Sequence, residues 1–247
     1  MTSRHPIPSW KDKVLFTPGP LTTSRTVKQA MLRDLGSRDF EFIAIVREIR
    51  RRVLELGGVA DGGYEAIIVQ GSQRVDFAVV VSSTLPPDGK LLVIANGAYG
   101  RRIAQIASAL KIATALLAYP EDSKPDLQEI ADVLAADESL THVAVVHCET
   151  TTGIINPVQE IGAVVNRFGR RFFVDAMSSF GAVPLNLAEC QIDYLVSSAN
   201  KCIEGVPGFG LVLARRDALL KTEGYARSLS LDLLAQWRGL EANGQVR

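Results

Sequence analysis

The sequence predicts an α/β protein: a mostly parallel central sheet flanked by helices. Two patterns in the 247 residues carry that expectation. From Gly62-Gly63 onward, short runs that are apolar throughout alternate with longer amphipathic stretches. Strands apolar on both faces are buried on both faces, which needs helices covering the sheet. The ends of those runs carry glycines, small polar residues and single charges, the composition of a ligand-binding edge. Loops leaving the carboxyl ends of parallel strands converge on such an edge.

Taken in order, residues 1–13 are polar, contain Pro6 and Pro8, and read as an arm. Val14-Leu-Phe-Thr-Pro-Gly-Pro20 is an extended segment broken by its prolines and glycine. Thr23 and Ser24 are candidate N-caps for a helix over 25–35, where Val27, Ala30, Met31 and Leu35 fall near helical spacing. Gly36-Ser-Arg-Asp39 interrupts it. Phe42, Ile45, Val46, Ile49, Val53 and Leu56 mark a helix over 40–56, and the arginines at 47, 50, 51 and 52 read as its solvated face. Strands are then expected over 64–69, 90–95, 113–118, 141–147 and 171–174, with helices over 77–83, 100–110, 126–134 and 157–167 between them. Two last strands, 192–196 and 209–213, bracket a turn rich in glycine. A single domain from residue 14 to 247 follows.

Composition excludes several partners. Lysine plus arginine (27) equals aspartate plus glutamate (27), so no net field draws nucleic acid or an anionic membrane. Cys148, Cys190 and Cys202 are odd in number and lack C-x-x-C spacing, which argues against a disulfide framework or a zinc site and fits a reducing cytosol. The start of the chain has no apolar signal core, and no later run is long enough to span a bilayer. A cytoplasmic protein without metal is expected.

The candidate site is read from the strand ends. They carry Gln70-Gly71-Ser72, Asn96-Gly-Ala-Tyr-Gly100, Cys148-Glu-Thr-Thr-Thr-Gly153, Asp175-Ala-Met-Ser-Ser179 and Ser197-Ser-Ala-Asn-Lys201. Lys201 lies between two buried strands, so its ammonium must reach solvent or be neutralised. A Schiff base to a carbonyl achieves the second, and a desolvated lysine is the usual nucleophile for that chemistry. A surface lysine in a glycine-rich loop is the other reading, and that stretch alone leaves both open. Asp175, ending an apolar strand, needs a cationic partner or caps a helix. Tyr99 suits the face of a flat ring or the core. Ser72 and the backbone after it suit a phosphate at a helix N-terminus, and Ser198 and Thr150 to Thr152 add hydroxyls.

A lysine, an anion for a pyridine nitrogen, a flat partner and a phosphate cup are together what pyridoxal phosphate requires. Thr17-Pro-Gly-Pro20, Gly36-Ser-Arg-Asp39, Asn96-Gly-Ala-Tyr-Gly100, His147-Cys-Glu-Thr-Thr-Thr-Gly153, Phe173-Val-Asp-Ala-Met-Ser-Ser-Phe-Gly181 and the segment Ser197 to Gly210 resemble the 2-aminoethylphosphonate:pyruvate aminotransferases. These are class V, fold type I enzymes that use pyridoxal phosphate. The resemblance implies transfer of an amino group from 2-aminoethylphosphonate to pyruvate, giving phosphonoacetaldehyde and L-alanine, in a homodimer. It implies Lys201 as the catalytic lysine and Asp175 as partner of the pyridinium. Tyr99 would lie over the ring, with Thr150 and Ser198 as cofactor contacts. Thr17, Gly19 and Arg38 would lie at the substrate mouth, where a guanidinium suits a phosphonate. Other class V aminotransferases or lyases, and a remnant of this enzyme that binds its cofactor weakly, are the alternatives. A lyase of the desulfurase kind would need a mobile catalytic cysteine, and Cys202 beside Lys201 is poorly placed for that.

Two departures from the family pattern have consequences. The family's Gly-Ser-Gly-Thr-Phe is replaced by Gly71-Ser72-Gln73-Arg74-Val75, and the chain stops at Gln245-Val-Arg247, where the family continues into a smaller carboxyl-terminal domain carrying a substrate-binding arginine. The resemblance thus implies a truncated chain whose phosphate contacts come from Ser72, Gln73 and Arg74. A charge-assisted hydrogen bond contributes about 1.5 to 3 kcal/mol, and tenfold in affinity is about 1.4 kcal/mol. The double change Gln73→Gly and Arg74→Thr is therefore expected to tighten pyridoxal phosphate binding by roughly one to two orders of magnitude. Equilibrium titration of both chains checks this; equal affinities overturn it.

Overall fold

The structure, a computed structural model, describes residues 13–71 and 73–244, with the backbone alone at 73–76. The expected arm falls outside the described residues except for Lys13. So do Ser72, the side chains of Gln73 and Arg74, and residues 245–247.

Strands β1 (Tyr64–Gln70), β2 (Lys90–Ala95), β3 (Ala113–Ala118), β4 (Leu140–Val146), β5 (Arg171–Asp175), β6 (Tyr194–Ser198) and β7 (Phe209–Arg215) form one sheet in the order β1-β7-β6-β5-β4-β2-β3. The pairs β2–β3, β2–β4, β4–β5 and β5–β6 are parallel; β7 is antiparallel to both β6 and β1. The sheet is thus mostly parallel, as the apolar runs predict. Because β7 reverses direction between its two neighbours, β1 runs the same way as β2 to β6, and its carboxyl end reaches the same edge as theirs.

The helices are α1 (Arg25–Ala30), α2 (Phe40–Leu56), α3 (Gln73–Thr84), α4 (Ala98–Ala109), α5 (Leu127–Ala136), α6 (Val158–Arg167), α7 (Arg216–Leu220) and α8 (Leu233–Asn243). Between α7 and α8 lies one 3-10 turn, Leu229–Leu231. Leu91 to Ala95, Val143 to Val146, Phe172 to Val174 and Leu211 to Ala214 are buried without interruption. Each such Val, Leu, Ile or Phe side chain stabilises the fold by about 1.5–3 kcal/mol relative to exposure. Buried Asp193 fastens the central strands: it accepts the Phe172 amide at 2.7 Å and pairs with Arg171 and Arg215.

Three expectations need correction, and one helix was not expected. Strand β3 is not buried on both faces; it is an edge strand, and Leu116 is 48% exposed. Helix α1 stops at Ala30 rather than Leu35, with Ser24 as its cap through the Val27 amide. No residue of α1 is buried, and Met31 and Leu32 are exposed. A short helix takes most of its stability from packing, so little holds a further turn there. Arg50 is not on the solvated face of α2: it donates to the Ala66 carbonyl at 2.7 Å and pairs with Glu65 and Glu241. Arg51 and Arg52 do lie outside, on Glu48 and Glu55. Helix α8, which the sequence reading did not place, is capped by Asp232 through the Ala235 amide and buries Leu233, Leu234 and Leu240.

Candidate active site

In the sheet order, β6, β5, β4 and β2 are consecutive neighbours and parallel. Their carboxyl ends carry, in the same order, Lys201, Asp175, the loop from His147 to Gly153, and Tyr99. Neighbouring strands lie about 4.8 Å apart, so the four ends span roughly 14 Å.

Lys201 sits in the loop joining β6 to β7 and is 3% exposed. Its carbonyl accepts the Glu204 amide at 2.8 Å, and the Gly205 amide returns to Ala199 at 2.7 Å, which closes the loop tightly behind it. Burial holds its ammonium below the usual lysine range, and the charge of Asp175 opposes that only in part. Gly19 lies against it at φ +145°, and a side chain at that position would run into the lysine stem. The Leu21 amide donates to the Asn200 carbonyl at 3.3 Å, so the segment from Thr17 to Pro20 is laid over the Lys201 turn.

Asp175 ends β5 and is 2% exposed. Its own carbonyl accepts the His147 amide at 2.7 Å, and the Ala176 amide donates to Val196 at 3.0 Å, pinning this strand end between β4 and β6. Oδ1 accepts the Met177 amide at 2.8 Å. Burial pushes the carboxyl up to about 7; the nearby charge of Glu149 adds to this, while the Met177 amide and Lys201 oppose it. A carboxyl at that position lacks a sufficient cation.

Thr150 and Ser178 share a hydroxyl hydrogen bond of 2.7 Å, joining the loops after β4 and β5. Ser198 donates to Asn200 at 2.5 Å. Tyr99 lies in the first turn of α4, half-buried, with the Arg102 guanidinium 5.8 Å from its ring centre. With Thr151, Arg101, Arg102 and Gln105 it lines a cavity of about 430 Å³. Thr17 is exposed and donates within its own segment, to Pro20, at 2.9 Å. Arg38 is exposed in the turn before α2 and shares no hydrogen bond or ion pair with these residues.

The sequence reading missed Glu149. It is fully buried, its Oε1 accepts the Tyr99 amide at 3.2 Å, and its Oε2 accepts the Gly100 amide at 3.3 Å. The only signal was an acid set among hydroxyls at a strand end. Cys148 and Cys202 are partly buried, and burial raises both thiols, the opposite of an activated nucleophile.

A family model described as aminotransferase class-V matches residues 22–228. The 2-aminoethylphosphonate–pyruvate transaminase of Syntrophobacter fumaroxidans is 51% identical over 231 residues, covering 94% of this chain and 62% of the relative. The protein of the same name from Vibrio cholerae is 49% identical, covering 93% and 63%. The chain therefore spans less than two thirds of the length of these relatives. Among solved structures, pyridoxamine-pyruvate aminotransferase from Mesorhizobium loti aligns with a TM-score of 0.85 at 26% identity, over 98% of this chain and 62% of that one. Alanine–glyoxylate aminotransferase from Nostoc sp. shares the fold with a TM-score of 0.87 at 22% identity, over 99% and 64%.

The raised Asp175 carboxyl makes stability depend on pH. It stays protonated in the folded chain to about pH 7 but ionises near 3.8 in the unfolded one. Between those values the folded chain holds the extra proton, so this group's contribution to stability falls as pH rises. Asp175→Asn keeps the acceptor for Met177 and removes the charge. At pH 8 it is expected to stabilise the ligand-free chain by up to about 4 kcal/mol, with the gain vanishing near pH 4. Urea unfolding of both chains across that range checks it, and a less stable variant at pH 8 refutes it.

Proposed function

We propose, proceeding from the fact that this chain belongs to the class-V aminotransferase family, that it carries the cofactor site of an enzyme moving the amino group of 2-aminoethylphosphonate to pyruvate. The products are phosphonoacetaldehyde and L-alanine. One observation carries the reading: a buried lysine held below its usual pKa stands at the end of the strand next to one ending in a buried, under-neutralised aspartate. Family membership implies pyridoxal phosphate, and these two residues fit it. Lys201 supplies the amine that an aldehyde requires, and Asp175 supplies the anion that a pyridinium requires. When bound, the cofactor supplies an electron sink that lets the carbon bearing an amino group give up a proton.

The chain's own residues divide the remaining work. Lys201 Nζ would hold the cofactor and, when its amine is free, would be the base that moves the proton at the substrate carbon. Its depressed pKa leaves more of the amine unprotonated near neutral pH than an exposed lysine would have. Asp175 would pair with a protonated ring nitrogen, which would offset the cost of burying its charge. Tyr99 would cover one ring face, Thr150 and Ser198 would hold the polar substituents, and Ser72, Gln73 and Arg74, whose side chains lie outside the described residues, would supply the phosphate contacts. The Thr17 to Pro20 segment closes over Lys201 and excludes water. Arg38 receives the phosphonate.

Two copies of the chain are expected to pair. Phe16, Leu32 and Phe40 are 96%, 86% and 93% exposed, apolar side chains that a second copy would cover. A sedimentation-equilibrium mass of one chain overturns the pairing. Among the described residues no helix is long and apolar enough to cross a membrane, and a cytoplasmic location is part of the proposal.

Borohydride reduction in the presence of pyridoxal phosphate, followed by peptide mapping, should place the label on Lys201. Label on Lys111 or Lys221 instead sinks the assignment. With pyruvate as acceptor, a screen of amino donors should single out 2-aminoethylphosphonate; preference for an amino acid without a phosphonate would move the chain to another class-V activity.

A further inference from the structure

We propose that Glu149 is a positioning residue that holds the first turn of α4, and with it the Tyr99 ring, in place over the strand ends bearing Lys201 and Asp175. This deepens, and rests on, the cofactor reading above. Lys201, Asp175 and Glu149 come from three consecutive parallel strand ends, β6, β5 and β4, and Tyr99 comes from the next, β2, on a helix that must be anchored to the sheet edge. The Gly97 position before that helix offers no side-chain cap. The first amides of a helix need acceptors, and here they find them on the neighbouring strand's loop. Glu149 Oε1 takes the Tyr99 amide at 3.2 Å, and Oε2 takes the Gly100 amide at 3.3 Å.

Four further contacts make the anchor rigid. The Glu149 backbone is fixed on its own loop: its amide donates to Ile154 at 3.0 Å, and its carbonyl accepts Gly153 at 2.7 Å. The Thr151 hydroxyl donates to Oε1 at 3.4 Å, and Thr151 lines the same cavity as Tyr99. Gly97 lies so close to the Glu149 side chain that any β-carbon there would run into Cγ and Cδ. Glu149 is wholly buried, so it is not available to solvent or to a diffusing partner. Its charge also reaches Asp175, which places the anchor beside the ring site rather than remote from it.

Substitution separates the role from mere packing. Glu149→Gln keeps the volume but has one acceptor oxygen for two amides, and its amide hydrogens oppose the other donor. The variant is expected to fold, to bind pyridoxal phosphate more weakly by up to about tenfold, the limit in which binding must restore a turn that one hydrogen bond no longer holds, and to lose visible circular dichroism of the bound cofactor. If Glu149 acts through Tyr99, the effect of Glu149→Gln on cofactor affinity should largely vanish in a Tyr99→Leu background. Gly97→Ala should weaken the cofactor likewise, and less so in a Glu149→Ala chain, where the clash is gone.

Hydrogen exchange provides a readout that needs no cofactor: the Tyr99 and Gly100 amides should exchange faster in Glu149→Gln. Wild-type affinity and circular dichroism in Glu149→Gln, or an undiminished effect in the Tyr99→Leu background, overturns the proposal. If the wild-type chain shows no visible band with pyridoxal phosphate, the cofactor reading has failed instead. Exchange then decides the anchor: faster exchange in the variant supports it, and equal exchange overturns it.

Discussion

The structure depends on burying a lysine and an aspartate at adjacent strand ends without bringing them to full mutual neutralisation. Each is almost excluded from water, and burial dominates the pKa of both. A close, well-formed ion pair would have held the aspartate low and the lysine high. Instead the charges oppose burial only in part. The site is therefore electrostatically unfinished, and a molecule carrying a carbonyl for one group and a cation for the other would complete it. Such an arrangement destabilises the ligand-free fold, and the surrounding core has to offset it.

The offset comes from the sheet. Both residues are reached through strands whose interiors are wholly apolar, and the strand ends are cross-tied by main-chain bonds from His147 to Asp175 and from Ala176 to Val196. The strand order matters as much as the packing. Because β6, β5, β4 and β2 are adjacent, residues separated by about a hundred positions in sequence, Tyr99 and Lys201, share one edge of the sheet. None of that order is visible in any single segment.

This explains what was legible beforehand. Helix α2 and strands β2 and β3 have the boundaries that their apolar spacing predicts; in β2 local pattern and burial agree, whereas β3 keeps its bounds at a sheet edge without the burial. The Lys201 turn and the Asp175 strand end were legible because a charge placed against an apolar run needs a reason. Arg50 was misread because its partners, Glu65, Ala66 and Glu241, come from other elements. Glu149 went unassigned for the same reason: its partners are amides of α4, fifty residues earlier for Tyr99. Backbone amides leave no trace in side-chain identity. The glycine at 97 was visible, but whether it marked a turn or a close approach depended on the neighbour that packs on it.

The antiparallel strand β7 gives the lysine its rigidity. In a parallel arrangement the chain leaving β6 would pass into a crossover and back over the sheet, and Lys201 would ride on a long connection. Here the chain turns within residues 199–208 and re-enters the sheet beside the strand it left, pairing Ser198 with Gly210. Ala199 donates to Phe209 at 3.3 Å and accepts Gly205 at 2.7 Å, so both stems of the loop are bonded before the lysine is reached. β7 also joins β1 on its far side, with Gln70 opposite Phe209 and the Gly71 amide on the Gly208 carbonyl at 3.0 Å. The backbone that leads to the expected phosphate cup is thus fastened to the same loop that carries Lys201. A shift in either would be felt by the other, so the backbone at Gly71 and the placement of Lys201 are coupled.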